Sequence, residues 1–331
     1  MSATARAEAL VIASESELID RFFRELGAAR ADVVLGIGDD AALLRVAGDA
    51  ELVLTTDALV EGVHFLPGAP AQSLGHRALA VNLSDIAAMG ATPNWALLAL
   101  NLPEADERWL QPFAAGFGAL ARAHGVALVG GNVSRGPLSI TVQLAGVLPR
   151  GEGLRRDGAH PGEALYVSGS VGDAAAGLKR LRGQLRATPE AGAYLQQRFE
   201  FPLPRVQLGA GLRGLASACI DVSDGLYADA QRLLRASGCG ASIALECLPV
   251  SWALRETLGE LAWQQALAGG EDYELCFSAP QANAAAIAAL AERTATAVSR
   301  IGSLEAGAGV ELKLNNAVMQ FSPLGFEHFR P

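Results

Sequence analysis

Five short segments of the sequence place acidic residues beside glycine, serine or threonine. They are "GIGDD", "LTTDAL", "NLSDIAAMG", "DVSDGL" and "GGEDYEL", and they are spread between residues 36 and 275. Any one of them, taken alone, is typical of an ordinary helix cap or turn. Carboxylate and hydroxyl oxygens without cysteine or histidine are also the ligands that Mg²⁺, Mn²⁺ and Ca²⁺ prefer. Each segment alone is therefore compatible with both interpretations.

Two of the segments favour a cation site. Asp85 falls inside a helix predicted over residues 73–89, in an apolar neighbourhood where an unpaired carboxylate is costly. Thr55, Thr56 and Asp57 follow one another at the end of a predicted strand and supply three oxygen-bearing side chains. A compact calcium loop needs closely spaced acids, whereas these acids are dispersed along the chain. The pattern predicts magnesium that is held jointly with the oxygens of a phosphate group.

Two other stretches come close to known nucleotide-binding motifs. Gly36, Gly38 and Ala41 have the spacing of a dinucleotide-binding turn. The segment that follows, "AALLRV", is too short for the crossover helix of a dinucleotide-binding fold, and another predicted strand comes next. We therefore exclude dinucleotide binding at this turn. The segment "GDAAAGLKR", at residues 172–180, lacks the lysine and hydroxyl positions of a phosphate-binding loop. We predict a plain strand-to-helix turn there.

The composition argues against some classes of binding partner and indicates a cellular compartment. With 331 residues and a net charge of −9, the chain argues against a surface for nucleic acid or anionic lipid. Lysine occurs only at positions 179 and 313, so arginine must supply the cationic contacts to any phosphate. Glycine, proline and asparagine interrupt the charge-free stretch at residues 86–103, which we do not expect to span a membrane. The four cysteines form no C-x-x-C pair and predict reduced thiols in a cytoplasmic protein.

Hydrophobic periodicity predicts strands and helices that are mixed in both halves of the chain. Predicted helices cover residues 73–89 and 106–124, and apolar strands flank them. The segment at residues 149–163 is rich in glycine and charge and has no apolar periodicity, so it is the best candidate for a domain junction. We therefore predict an α/β (α+β mixed) protein with two domains, residues 1–149 and 150–331.

Taken in series, the acidic segments resemble those of the thiamine-monophosphate kinase family, which belongs to the superfamily of aminoimidazole ribonucleotide synthetase. The motifs that carry the resemblance are "GIGDDAA", "TTDALVEGVHF", "LSDIAAMGATP", "GGN", "DVSDGL" and "GGEDYEL". The resemblance implies transfer of the terminal phosphate of ATP to thiamine monophosphate with several Mg²⁺ ions. It also implies a homodimer in which N-terminal ferredoxin-like sheets form a shared barrel, and a C-terminal α/β domain that completes the substrate cleft.

The resemblance further implies roles for individual residues, and it assigns none of them as a covalent or acid–base catalyst. The implied metal ligands are Asp39, Thr55, Thr56, Asp57, Asp85, Asn132, Asp221 and Asp224. The implied nucleotide contacts are Gly131, Arg156 and Ser223, and the implied acceptor contacts are His64, Glu271 and Phe326. The family has aspartate where this chain has Asn132, and an amide oxygen brings no charge to a cation.

Some alternatives stay open on the sequence. Alternation along "EDYELCF" puts Glu271 and Asp272 on opposite faces of a strand, and the family pattern favours Glu271 for substrate. Another ATP-dependent synthetase of the same superfamily is the nearest competing function. A non-catalytic sensor of nucleotide or metal on the same scaffold is the competing function of a different class, because binding and turnover use the same ligands.

Overall fold

The structure is a computed structural model, and it describes residues 15–38 and 41–321. Of the predicted site residues, Asp39 and Phe326 lie outside the described residues. The chain divides into two units. Unit 1 contains residues 1–48, 54–82 and 93–145, and unit 2 contains residues 49–53, 83–92 and 146–331. In this division two short N-terminal stretches group with residues 146–331, and a domain boundary near residue 149 stays a prediction.

The elements up to residue 149 form two sheets and three helices of the described chain. In chain order they are α1 (Glu15–Phe22), β1 (Val33–Leu35), β2 (Leu43–Leu44), β3 (Ala50–Val60), α2 (Ala71–Ala88), β4 (Thr92–Leu102), α3 (Glu107–Ala123), β5 (Ala127–Arg135) and β6 (Ser139–Pro149). Strands β1 and β2 pair with each other, and the larger sheet has the order β3-β6-β4-β5. The predicted helices over residues 73–89 and 106–124 are confirmed to within two residues at each end.

Close approach of α2 and α3 buries one side of unit 1. A Cβ at Gly75 would lie 2.1 Å from the carbonyl oxygen of Phe113, and a Cβ at Gly116 would lie 2.0 Å from that of Gln72. Only glycine fits at two such backbone contacts, so the helices can pack more closely than larger side chains would allow. The side chains of Phe113 and Phe117 are fully buried beside this contact.

The elements after residue 160 belong to unit 2 and alternate helices with strands. They are β7 (Ala164–Ser168), α4 (Asp173–Leu181), α5 (Pro189–Glu200), α6 (Val206–Leu212), β8 (Ala218–Val222), α7 (Leu226–Ser237), β9 (Gly240–Ala244), α8 (Trp252–Leu258), α9 (Ala262–Ala268), β10 (Glu274–Ala279), α10 (Ala284–Arg293), β11 (Val298–Glu305), β12 (Gly309–Leu314) and β13 (Ala317–Val318). Mixed strands and helices in both units confirm the predicted fold class.

One seven-stranded sheet organises unit 2, with the order β13-β12-β9-β11-β7-β10-β8. Strand β10 is antiparallel to both β7 and β8, and its register pairs Leu275 with Asp221. The start of β10 and the ends of β7 and β8 therefore meet at one edge of the sheet. Two of the acidic segments, "DVSDGL" and "GGEDYEL", come together at this edge. No helix among the described residues is long and apolar enough to cross a membrane.

Candidate active site

A buried carboxylate at the end of β8 lies at the centre of the candidate site in unit 2. The side chain of Asp221 is almost fully buried, at 5% exposure. This burial, followed by the nearby negative charge of Asp85, raises the pKa of Asp221 from 3.8 to about 8. The structure thus brings two predicted metal ligands together, although they are separated by more than 130 residues of sequence.

Two groups partly offset the cost of placing charge there. The hydroxyl of Ser84, which is fully buried, donates a hydrogen bond to Oδ2 of Asp221 at 2.9 Å. The guanidinium of Arg156 also lowers the pKa of Asp221, although neither effect overcomes burial and the charge of Asp85. Ser84 was missed by sequence reasoning, because a serine in a helix interior is usually a neutral packing residue. Only its contact with Asp221 gives it a role.

The position of Arg156 separates it from its neighbour Arg155. The guanidinium of Arg155 donates to both carboxylate oxygens of Asp157, at 2.8 and 2.6 Å. The carbonyl oxygen of Arg156 accepts a hydrogen bond from Ser237 at 2.7 Å, and its side chain acts on Asp221. Of these two consecutive arginines, Arg156 is therefore the one whose charge acts on the buried carboxylate.

Ser223 and Asp224 occupy the loop between β8 and α7. Nη1 of Arg232 lies 2.6 Å from Oδ2 of Asp224, so this predicted metal ligand is held in an ion pair. The carbonyl oxygen of Ser223 accepts a hydrogen bond from the backbone N–H of Glu271 at 2.7 Å. A backbone hydrogen bond thus joins Ser223, a predicted nucleotide contact, to Glu271, a predicted contact of the acceptor substrate.

The carboxylate of Asp272 caps a helix. It accepts hydrogen bonds from the backbone N–H groups of Gly172 at 2.5 Å and Ala174 at 3.2 Å, at the beginning of α4. Gly172 has φ 89°, and α4 begins at the next residue. The predicted strand-to-helix turn at "GDAAAGLKR" is therefore confirmed. Asp272 occupies the helix N-terminus that a phosphate group uses in nucleotide-binding loops.

The carboxylate of Glu274 is fully buried in an arginine network. It accepts hydrogen bonds from Nε and Nη2 of Arg205, both at 2.6 Å, and from Nη2 of Arg198 at 2.9 Å. The hydroxyl of Ser168 donates to it as well, at 2.6 Å. These arginines belong to no acidic motif, so nothing in the sequence pattern indicates the network. Glu274 is thus occupied by internal partners.

Glu271 is the remaining acid of "GGEDYEL", and it lies in a strained loop. Glu271 and Tyr273 have φ 71° and 53°, a conformation that non-glycine residues adopt at a cost of about 1–3 kcal/mol each. Oε2 of Glu271 accepts a hydrogen bond from the hydroxyl of Tyr273 at 3.1 Å. The expectation that strand alternation separates Glu271 from Asp272 was wrong in its premise, because β10 begins only at Glu274. Capping by Asp272 and the left-handed backbone on both sides of it separate the two carboxylates instead.

In unit 1, the three oxygen-bearing residues of β3 do not share a face. Exposure alternates along the strand, so Thr55 and Asp57 are half-buried and Thr56 is exposed. The hydroxyl of Thr56 donates to the carbonyl oxygen of Val142 on the neighbouring strand at 3.2 Å. The side chains of Thr55 and Asp57 therefore lie on one face of β3 and that of Thr56 on the other, and the role of all three as metal ligands stays a prediction.

The other predicted residues of unit 1 lie in three settings. Nδ1 of His64 accepts a hydrogen bond from the backbone N–H of Val60 at 3.1 Å, just beyond the end of β3. A Cβ at Gly131 would lie 1.9 Å from the carbonyl oxygen of Leu98, so strand pairing itself requires glycine there. Asn132, the next residue on β5, is exposed. Gly131 therefore has a structural reason to be glycine that is independent of any nucleotide.

Residues 15–38 and 41–321 contain no group of three His, Cys, Asp or Glu side chains that could hold a metal ion by itself. Asp85 and Asp221 offer carboxylate oxygens, which are the ligands that Mg²⁺ prefers. Mg²⁺ usually takes one or two protein carboxylates and completes its shell with water and substrate phosphates. The donor set in unit 2 therefore fits Mg²⁺ that arrives with a phosphate-bearing substrate.

The raised pKa of Asp221 predicts how stability depends on pH. Between about pH 4 and pH 8, the folded protein keeps a proton on Asp221 that the unfolded chain loses, so this group's contribution to stability falls as pH rises. In chelator, we expect Asp221→Asn to melt progressively higher than the wild type as the pH is raised from about 5 to about 8.5. Asp157→Asn, at an exposed ion pair whose pKa is lowered, is the control. A constant difference in melting temperature for Asp221→Asn would contradict the prediction.

Comparison with known proteins places these features in a family. The model of the AIR synthase related protein, N-terminal domain, matches residues 38–148, and that of the C-terminal domain matches residues 160–315. Thiamine-monophosphate kinase of Salmonella typhimurium is 44% identical over 320 residues, which are 95% of this chain and 98% of that protein.

Solved structures agree with the sequence comparison. The crystal structure of thiamine-monophosphate kinase from Stenotrophomonas maltophilia has a TM-score of 0.82 and 47% identity, covering 86% of this chain and 92% of that chain. A structure named AaThiL, complexed with AMPPCP and TMP, has a TM-score of 0.75 and 36% identity, covering 88% of this chain and 92% of that chain. The chain therefore belongs to the thiamine-monophosphate kinase family of AIR synthase related proteins.

Proposed function

We propose that this protein transfers the terminal phosphate of ATP to thiamine monophosphate, giving thiamine diphosphate, in a magnesium-dependent reaction. The observation that carries the proposal is the buried Asp221 beside Asp85, with the cationic Arg156 acting on it. Two adjacent carboxylates are a poor surface for phosphate unless a cation lies between them and the substrate. The AMPPCP and TMP bound by the related AaThiL structure support ATP and thiamine monophosphate as the pair of substrates.

Bound magnesium would neutralise phosphate oxygens and hold them in line for transfer. In unit 2, Asp85 and Asp221 would hold magnesium, and the family resemblance implies further metal ligands at Thr55, Thr56, Asp57, Asp224, Asn132 and Asp39. Arg156 and the backbone near Ser223 and Gly131 would orient ATP. His64, Glu271 and Phe326 would orient the acceptor. Because the aspartates of the acidic motifs are proposed as cation ligands, which lowers their nucleophilicity, we propose direct transfer to the acceptor phosphate without a phosphorylated enzyme.

The direct test uses the purified full-length protein with ATP, MgCl₂ and thiamine monophosphate, and it measures thiamine diphosphate by chromatography. We expect product with magnesium and none in excess chelator. Binding of AMPPCP without any turnover of ATP would favour a non-catalytic sensor. Turnover of ATP that never yields thiamine diphosphate would favour another synthetase of the same superfamily.

Asp85→Asn tests the cation site within this reaction. Because the amide removes the charge and leaves the shape of the side chain, we expect kcat to fall about 100-fold or more at low magnesium. Asp106→Asn, which alters a carboxylate at the N-terminus of α3, is the matched control and should keep wild-type turnover. Normal turnover of Asp85→Asn at low magnesium would remove Asp85 from the cation site.

We also propose that the protein is a homodimer that pairs through unit 1. Strand β3 is at the edge of its sheet, and Leu54 on it is 70% exposed. Val60 on the same strand, and Leu43 and Val34 on the small sheet, are exposed as well. An exposed apolar edge strand pairs readily with another chain, so covering this edge with a second copy supplies a reason for the exposed side chains.

Light scattering coupled to size exclusion tests the dimer. We expect the wild type to have twice the mass of the chain and Leu54→Asp to shift to the monomer at micromolar concentration. Leu203→Asp, which alters a half-exposed leucine of unit 2, should remain a dimer. A monomeric wild type, or a dimer that Leu54→Asp leaves unchanged, would contradict this interface.

We place the protein in the cytoplasm, where ATP is available. The four unpaired cysteines, three of them buried, support a reducing compartment.

A further inference from the structure

Asp229, in the first turns of α7, binds the loop that precedes its own helix. Its side chain is 1% exposed. Oδ2 accepts hydrogen bonds from the backbone N–H groups of Ser223 and Asp224, both at 3.0 Å. Helix α7 begins at Leu226, so these two donors lie outside the helix. Asp229 therefore stabilises the loop conformation rather than acting only as a cap on helical N–H groups.

A second contact fixes the other oxygen of the same carboxylate. Nη1 of Arg232 donates to Oδ1 of Asp229 and also lies 2.6 Å from Oδ2 of Asp224. Arg232 is partly exposed, with 42% of its side chain accessible. The arginine thus joins the buried carboxylate to the loop carboxylate and balances their charge.

The opposite side of the loop is fixed as well. The N–H of Glu271 donates to the carbonyl oxygen of Ser223 at 2.7 Å. Gly225 has φ 120°, and a Cβ there would lie 3.0 Å from the carbonyl oxygen of Ala268. Ser223 therefore has both its N–H and its C=O engaged, by Asp229 and by Glu271. Removing Asp229 would leave two N–H groups of the loop without their acceptor.

We infer that Asp229 is a positioning residue for nucleotide binding, acting through its two hydrogen bonds to the backbone of Ser223 and Asp224. The inference rests on the proposed function, in which Ser223 contacts ATP. Asp229 is only 1% exposed, so it acts through the loop rather than by contact with the nucleotide. Its function is to hold the loop in the conformation that meets the nucleotide before the nucleotide arrives, so that ordering the loop costs no binding free energy.

The hydrogen-bond acceptor, rather than the charge, carries this role. Asp229→Asn keeps an oxygen that can accept both N–H groups, whereas Asp229→Ala removes it. Arg232→Gln removes the ion pair and leaves the two backbone hydrogen bonds in place. Asp106→Ala is the matched control, because Asp106 also accepts hydrogen bonds from a backbone N–H and from an arginine side chain at the start of a helix. Arg235→Gln is the control for loss of a positive charge on α7.

The experiment is isothermal titration of the full-length protein with AMPPCP at saturating magnesium, well below the melting temperature of every variant. We expect Asp229→Ala to raise the Kd about tenfold, which corresponds to the loss of a net hydrogen bond or two. Asp229→Asn, Arg232→Gln and both control variants should stay within about threefold of the wild type. Hydrogen exchange of the Ser223 and Asp224 amides should accelerate in Asp229→Ala alone.

Each other outcome is decisive. An unchanged Kd in Asp229→Ala, with a lower melting temperature only, would show a purely structural cap and overturn the inference. Equal losses in Arg232→Gln and Asp229→Ala would assign the effect to the ion pair and overturn it too. A wild-type protein that does not bind AMPPCP would overturn the proposed function, which separates that failure from a failure of Asp229.

Discussion

The burial of Asp221 beside a second carboxylate, Asp85, is the constraint on which the candidate site depends. A charge as deeply buried as that of Asp221 is ordinarily lost by protonation, and its pKa of about 8 shows that tendency. Ser84 and Arg156 act against it and do not cancel it. Without a metal ion the site therefore holds a proton near neutral pH, and a divalent cation can take the place of that proton. The magnesium dependence that we propose and the expected pH dependence are in this way two consequences of one buried pair of carboxylates.

Two other acids of unit 2 are bound by internal partners. Asp272 is bound to the beginning of α4, and Glu274 is bound to two arginines and a serine. Breaking either set would leave a buried charge unpaired, which is strongly destabilising. These two carboxylates are committed to the fold, whereas Glu271 accepts a hydrogen bond from the hydroxyl of Tyr273. Glu271 and Tyr273, on either side of Asp272, have left-handed backbone conformations. This local conformation accompanies the different partners of Glu271 and Asp272.

Much of this arrangement could be predicted from the sequence, and the failures have physical reasons. Helices α2 and α3 were predicted to within two residues at each end, because each is a long segment, of 18 and 17 residues. Asp85 stood out because a charge in an apolar helix needs a partner. The premise that Asp272 lies in a strand was wrong, since sequence alone does not show where a strand begins.

Other contributors have no local signal in the sequence. Ser84, Asp229, Arg198 and Arg205 act through partners that lie 5 to 137 residues away along the chain. Their residue types are common on surfaces and in caps, so only the tertiary contacts distinguish them. At Gly131 the sequence motif indicates a nucleotide contact, but the close pairing with Leu98 is by itself enough to require glycine.

The measurement that tests the central claim most directly is the number of protons released when Mg²⁺ binds. Calorimetric titration of the full-length protein with MgCl₂, in two buffers of different ionisation enthalpy at about pH 7, gives this number. We expect release of most of one proton per chain at that pH, falling to about half near pH 8 and to little above about pH 9, and none from Asp221→Asn. Magnesium binding to the wild type without proton release would show that Asp221 is already ionised, and would contradict a site built on two carboxylates that compete for one proton.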